Sequence, residues 1–214
     1  MLRNALLVSS LSALAFVASA SAGLRVTEAM SSSGSGGTTD WFEVSNYGTT
    51  AIDITGYKMD DNSFAFANAV ALLGITSIAA GETVIFVEGA STTVSGFRSF
   101  WGGLSGVQVG YYTGSGVSFS SSGDGLVVYN GSGSEVTQRA TFGSATTGSS
   151  FYFESTGTNP GVVSTVGTIG TQVTFATSGN PGNVGSLGTA LNIPAPGAAA
   201  LLGLAGLIAT RRRR

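Results

Sequence analysis

The chain contains no cysteine and no histidine. Without Cys no disulfide can staple the fold, so stability has to come from core burial. Without His or Cys, the commonest general base, the commonest transition-metal ligand and the thiolate nucleophile are all missing, and a Ser-His-Asp triad is excluded. Charge is scarce as well, at 9% of residues against about 25% in ordinary globular chains. Five of the nine basic residues are Arg3 and Arg211 to Arg214, which leaves four against eleven acids in the middle, a net charge of −7. That sign disfavours nucleic acid, because phosphate binding needs Lys and Arg to displace counterions.

What is plentiful is glycine, 33 of 214 residues, together with a 43% hydrophobic fraction. Disorder normally goes with low hydrophobicity, so this is not a disordered composition. Val, Ile, Phe and Tyr cluster in short runs between Gly, Ser and Asn, the pattern of an all-β domain with many turns.

The two ends differ from the middle. Met1 to Ala22 carries Arg3 early, an apolar stretch from Ala5 to Ala18, then Ala18-Ser19-Ala20-Ser21-Ala22. That is the layout of a secretory signal peptide, with cleavage expected after Ala20 or Ala22. At the other end Ile193-Pro194-Ala195-Pro196-Gly197 precedes the apolar run Ala198 to Ala209, followed by Arg211, Arg212, Arg213 and Arg214. A twelve-residue helix spans about 18 Å, short of the roughly 30 Å hydrocarbon core. The four Arg would hold that end on the cytoplasmic side. The order of Pro-x-Pro-Gly, apolar helix and terminal Arg cluster resembles the PEP-CTERM sorting tail, which exosortase enzymes recognise in Gram-negative envelopes. In that family the motif usually reads Pro-Glu-Pro, and Ala195 stands in the Glu position here.

Between the ends, Leu24 to Met30, Asp40 to Asn46 and Ala51 to Met59 alternate as strands, with Ile52 and Ile54 on one face and Asp53 and Thr55 on the other. A turn at Ala80-Gly81 leads into the dense apolar strand Thr83 to Glu88. Phe97 to Trp101 follows a Ser/Thr-rich stretch able to cap a short helix. Gly125 to Asn130 and Ser134 to Arg139 form a hairpin, because Asn130-Gly131 favours the positive φ angles of tight turns. Two further strands fall at Ser150 to Ser155 and Thr171 to Ala176, and Asn180-Pro181-Gly182 closes the domain. Strands at this spacing with almost no helix predict a sandwich of two antiparallel sheets. The expected organisation is signal peptide 1–22, β-sandwich 23–183, Gly-rich linker 184–192 and sorting or anchor tail 193–214.

Arg25-Val26-Thr27-Glu28, Asp40 to Asn46, Ile52 to Tyr57 and Ile78 to Phe86, with the later blocks Phe97 to Trp101 and Gly123 to Tyr129, resemble a lamin-tail domain over about residues 24–183. The resemblance implies an immunoglobulin-like fold and an interaction module, and it supplies no catalytic residues.

Individual candidates for chemistry are few. A Ser-Lys dyad would need Lys58, the only lysine, on a strand where it more simply reaches solvent. The lamin-tail resemblance places Glu28 and Glu43 on neighbouring strands, but a glycosidase pair needs a cleft and solvated strand faces explain them. Asp60-Asp61-Asn62-Ser63 offers oxygen ligands without the spacing of a calcium loop; the reading is a polar turn and no metal, with Asp60 and Asp61 the nearest approach to a site. Gly114-Ser115-Gly116 lacks a P-loop lysine. Trp101, Tyr111 and Tyr112 suit core packing better than a sugar platform. The expected function is that of an exported, non-enzymatic surface or extracellular-matrix protein without cofactors. Its expected partners are signal peptidase and the export machinery, an exosortase-like processing enzyme, and envelope polysaccharide or other surface proteins, with transient membrane contact through the C-terminal helix. The alternative is a carbohydrate- or calcium-binding surface module.

Overall fold

The computed structural model describes residues 23–34, 37–102, 104–114, 116–153, 161–165, 175–176, 183–190 and 193. The expected signal helix with Ala20 and Ala22, the Asn180-Pro181-Gly182 closure, the Pro194 to Gly197 motif, the apolar run and Arg211 to Arg214 lie outside them. Among the described residues no helix is long and apolar enough to cross a membrane.

The described residues form fourteen strands and one helix. A six-stranded sheet has the order β12 (Val162–Val163), β11 (Phe151–Tyr152), β1 (Leu24–Met30), β2 (Trp41–Asn46), β7 (Thr83–Glu88), β8 (Val109–Tyr112). A four-stranded sheet has the order β10 (Ala140–Phe142), β9 (Asp124–Tyr129), β4 (Lys58–Asp60), β5 (Val70–Ala71). Two small ladders pair β3 (Ile52–Asp53) with β6 (Ser77–Ile78), and β13 (Phe175–Ala176) with β14 (Val184–Gly185). Among the described strands every ladder is antiparallel except β7 with β8, and an isolated parallel bridge joins Ser149 to Val184.

The main core joins the inner faces of the two larger sheets. Phe42, Val44, Val84 and Phe86 come from one, and Met59, Leu126, Val128 and Phe142 from the other. Phe42 stacks on Phe86 with centroids 5.5 Å apart, and Phe142 on Phe151 at 4.8 Å. Gly110 is required for this packing, since a Cβ there would sit 2.4 Å from the Leu73 carbonyl oxygen and 2.8 Å from the Phe86 ring.

The outer face of the six-stranded sheet is covered too. The helix α1 (Thr93–Phe100) packs Phe97 with Trp101 against Trp41, Met30, Ile85 and Val87. All six residues of β2 are therefore buried, including Glu43 and Ser45. The helix falls where its sequence predicts, but Thr92 makes no side-chain cap; Thr93 Oγ1 instead accepts the Ala90 N–H at 3.2 Å.

Three expectations are revised. Leu24 to Met30 does not alternate throughout, because a bulge at Thr27 shifts the register between Val26 and Glu28. Val26 pairs with Val44 facing the main core, whereas beyond the bulge Glu28 pairs with Glu43 and Met30 with Trp41 on the outer face. One extra residue thus moves Glu28 out of the apolar core. The turn after β9 exists, but Ser134 to Arg139 is not its return strand: that segment meets β9 through a bridge from Glu135 to Tyr129, and the paired strand is β10; positive φ falls at Gly133 rather than at Asn130-Gly131. Asn130 Oδ1 accepts the N–H groups of Ser132 and Ser134, at 3.0 and 2.9 Å, and so organises the turn by its side chain. Finally, the expected linker 184–192 is not one over its described part: residues 183–190 fold back onto the outer face, where Leu187 joins the cluster with Trp41 and Trp101. A polar, Gly-rich composition concealed a segment whose Asn183, Ser186 and Gly188 bond to the body of the domain.

Candidate functional site: a roofed carboxylate pair

The densest polar cluster among the described residues lies at the uncapped end of that outer face. Thr27, Ser45 and Thr83 run across β1, β2 and β7, with hydroxyls 3.0 and 2.8 Å apart. Beside this row Glu28 and Glu43 stand directly opposite each other on adjacent strands, both fully buried. Like charges in that position repel, so their surroundings decide whether the pair is tolerable.

Glu28 is well served. Its Oε1 accepts the Ser150 hydroxyl, which lies 2.8 Å from the Ser164 hydroxyl. The Ser186 N–H donates to both carboxyl oxygens, at 2.9 and 3.1 Å, and the Ser186 hydroxyl donates to Oε2 at 2.6 Å. Glu43 accepts only the Gly188 N–H at Oε1, and its Oε2 has no partner among the described residues. Both carboxyls are thus fastened to residues 186–188, which form a roof over them.

Burial dominates the protonation of both groups, because a dry interior penalises the charged form. Glu28 is pushed up to about 7 by burial, against the opposing hydrogen bonds from Ser150 and Ser186. Glu43 is raised well above the usual carboxylate range by burial and then by the proximity of Glu28, with the Gly188 N–H opposing. Below neutral pH the pair is held by protons rather than by a cation. The N–H groups of Ser186 and Gly188 that face the pair have no lone pair to offer a metal ion. Neither side chain reaches solvent, so no substrate can approach them, as a glycosidase pair would require. The expectation of solvated strand faces for Glu28 and Glu43 is overturned by the bulge and by the roof.

The other candidates are structural. Asp60 is buried, and its Oδ2 accepts the Ser63 hydroxyl and the Ala65 N–H, each at 2.7 Å. Asp61 Oδ1 accepts the Ser63 N–H at 3.1 Å. Asp124 receives the N–H groups of Asn62 and Gly125 at 3.3 and 2.8 Å and of Ser120 at 2.5 Å. These carboxylates knit loops, and among the described residues no group of three or more His, Cys, Asp or Glu is placed to hold a metal. Asp40, which accepts the Phe119 N–H, is raised to about 6 by burial, with Glu88 and Asp124 adding to the shift. Trp101 and Tyr112 are buried in the two clusters, so they cannot form a sugar platform with Tyr111. Lys58 lies over the Phe66 ring at 5.0 Å, away from any serine nucleophile role. A depression of about 410 Å³ beside α1 is lined by Thr38, Thr39, Thr92, Thr93, Phe97 and Phe100, with Gly37 and Gly96, and has no ionisable side chain.

Reading from residues alone missed Ser150, Ser186 and Gly188. Isolated serines and a glycine in a polar stretch carry no periodic signal. The available hint was Leu187, the largest apolar residue in a segment of small and polar ones.

Two packed sheets, a single short helix and a polar site closed to solvent define an immunoglobulin-like β-sandwich module. The lamin tail domain profile matches residues 17–143, and the chain belongs to the lamin tail domain family. No curated protein and no solved structure matches the chain. The matched segment includes Glu28 and Glu43 but ends before β11, so Ser150 and the 186–188 roof are additions beyond it.

Proposed function

We propose that the chain is an exported, non-catalytic display module: a lamin-tail β-sandwich carried outside the cell by the 1–22 leader and sorted through the 193–214 tail. The observation that carries the reading is the ordering at the C-terminal side, Pro194-Ala195-Pro196-Gly197, then the apolar run, then Arg211 to Arg214. The family is generally an interaction module, and the closed carboxylate pair and the loop-knitting aspartates leave the described surface without an evident nucleophile or base. Its partners in this reading are signal peptidase and the export machinery, an exosortase-like processing enzyme, and envelope polysaccharide or other surface proteins.

Intact-mass measurement on protein recovered from the envelope or medium of an expressing Gram-negative host tests it. The expected product begins after Ala20 or Ala22 and lacks Arg211 to Arg214. A mature product that retains Met1 and stays in the cytosol overturns the export reading. One that retains Arg214 at the envelope leaves a plain anchor and removes the sorting enzyme.

A further inference from the structure

We propose that residues 183–190 are a proton-controlled strap, closed over the outer face of the six-stranded sheet while the Glu28–Glu43 pair carries at most one negative charge, and released when both carboxyls ionise. The geometry points to this because the centre of the strap, residues 186–188, is tied to the sheet through the two carboxyls. Its polar grip consists of the Ser186 N–H and hydroxyl on Glu28 and the Gly188 N–H on Glu43. Its N-terminal end is fixed separately: Asn183 Oδ1 accepts the Gly34 N–H at 2.9 Å, the Val184 carbonyl accepts the Ser150 N–H at 3.0 Å, the Val184 N–H donates to the Gly148 carbonyl at 2.6 Å, and β14 pairs with β13. Its one large apolar anchor is Leu187.

The two carboxyls are unequal in a way that sets the order of events. Glu28 has enough donors to bear a charge. Glu43 has one donor and an unpartnered oxygen among the described residues, so its ionisation beside charged Glu28 leaves a buried charge unsolvated. A dry interior strongly disfavours such a charge, and the Gly188 N–H that faces it belongs to the strap. Water reaches Glu43 most directly by lifting the strap, because β1 and β2 beneath the pair are fixed by neighbouring strands on both sides. The proton leaves to solvent, and the strap's three donors exchange the carboxyls for water.

The surrounding charges do not relieve the pair. Arg25 on β1 stacks on the Tyr47 ring at 5.0 Å, just past β2. Tyr47 itself is held above its ordinary range, chiefly by burial, and stays neutral throughout. Arg98 on α1 is engaged with the carbonyls of Leu104 and Val107 at 3.0 and 2.7 Å. Tyr152 on β11 is the register partner of Glu28, Glu82 and Glu88 lie at the ends of β7, and residues 183–190 contain no charged side chain. Neither carboxyl has an ion pair among the described residues.

Hydrogen exchange of the full chain, read by mass spectrometry at pH 6 and pH 9 and corrected for the intrinsic rate, tests the strap directly. Protection of residues 183–190 is expected to fall at least tenfold between the two, while that of β7 holds. Glu43→Gln, which removes the second charge, is expected to keep the strap protected at pH 9. Equal strap protection at both pH values overturns the proposal. So does simultaneous loss in β7, which would mean global unfolding, or a Glu43→Gln strap that opens as the wild type does. Should that variant fail to fold, the wild-type pair of measurements decides alone.

Discussion

Glu43 is the most consequential single residue, because nothing in its sequence neighbourhood distinguishes it from a surface glutamate on an alternating strand. It is fully buried opposite another acid. Glu43→Gln removes the cost of charging it while keeping the shape and the Gly188 contact. Urea denaturation is expected to show the variant more stable than wild type at pH 8, by about 1–3 kcal/mol, and nearly equal at pH 5. Gly110→Ala is expected to act oppositely and at every pH. Its Cβ would meet the Leu73 carbonyl at 2.4 Å and the Phe86 ring at 2.8 Å, and overpacking of that kind costs about 1–3 kcal/mol. A thermal midpoint unchanged by Gly110→Ala would show that β8 can shift away.

Among the elements, those with a local signal were legible. Trp41 to Asn46, Thr83 to Glu88, the helix before Trp101 and the turn after Tyr129 all lie where alternation, apolar density and turn chemistry put them. The bulge at Thr27 was not legible, because a register shift is decided by the partner strand and leaves the residue pattern unchanged. The strap was illegible for a related reason. Its role depends on donors meeting two distant glutamates, and Ser186 to Glu28 is a separation of 158 residues. Asn130→Ala removes the acceptor of the two turn N–H groups and is expected to cost about 1 kcal/mol, without changing strand content by circular dichroism. Gly185→Ala targets the strap instead: its Cβ would lie 2.8 Å from Leu187 and 3.0 Å from Glu28 Oε1. Because the chain's two tryptophans, Trp41 and Trp101, share a cluster with Leu187, the variant is expected to red-shift tryptophan emission at neutral pH. An unshifted spectrum with unchanged strap protection would show that the strap tolerates the methyl group.

For the whole molecule, the lamin-tail sandwich is the part a family shares, and the strands and strap after residue 143 complete the outer face of its larger sheet. An acidic, cysteine-free body closed on both faces suits display, whereas its one concentrated group of buried acids answers to pH rather than to a substrate. The sign of that response follows from the directions of the shifts. Glu28 is raised to about 7 and Glu43 well above its ordinary value of 4.5, and Asp40 is raised to about 6 from 3.8. The folded state therefore holds more protons than the unfolded chain once pH exceeds the ordinary carboxylate range. The stability these groups contribute is complete below about pH 4 and is lost as pH rises through their folded values. Urea denaturation of the full chain from pH 5 to pH 8.5 tests this most directly. The account predicts a monotonic fall, on the order of a few kcal/mol, that Glu43→Gln reduces. Stability that is flat or rises across that range would contradict a buried, proton-held Glu28–Glu43 pair.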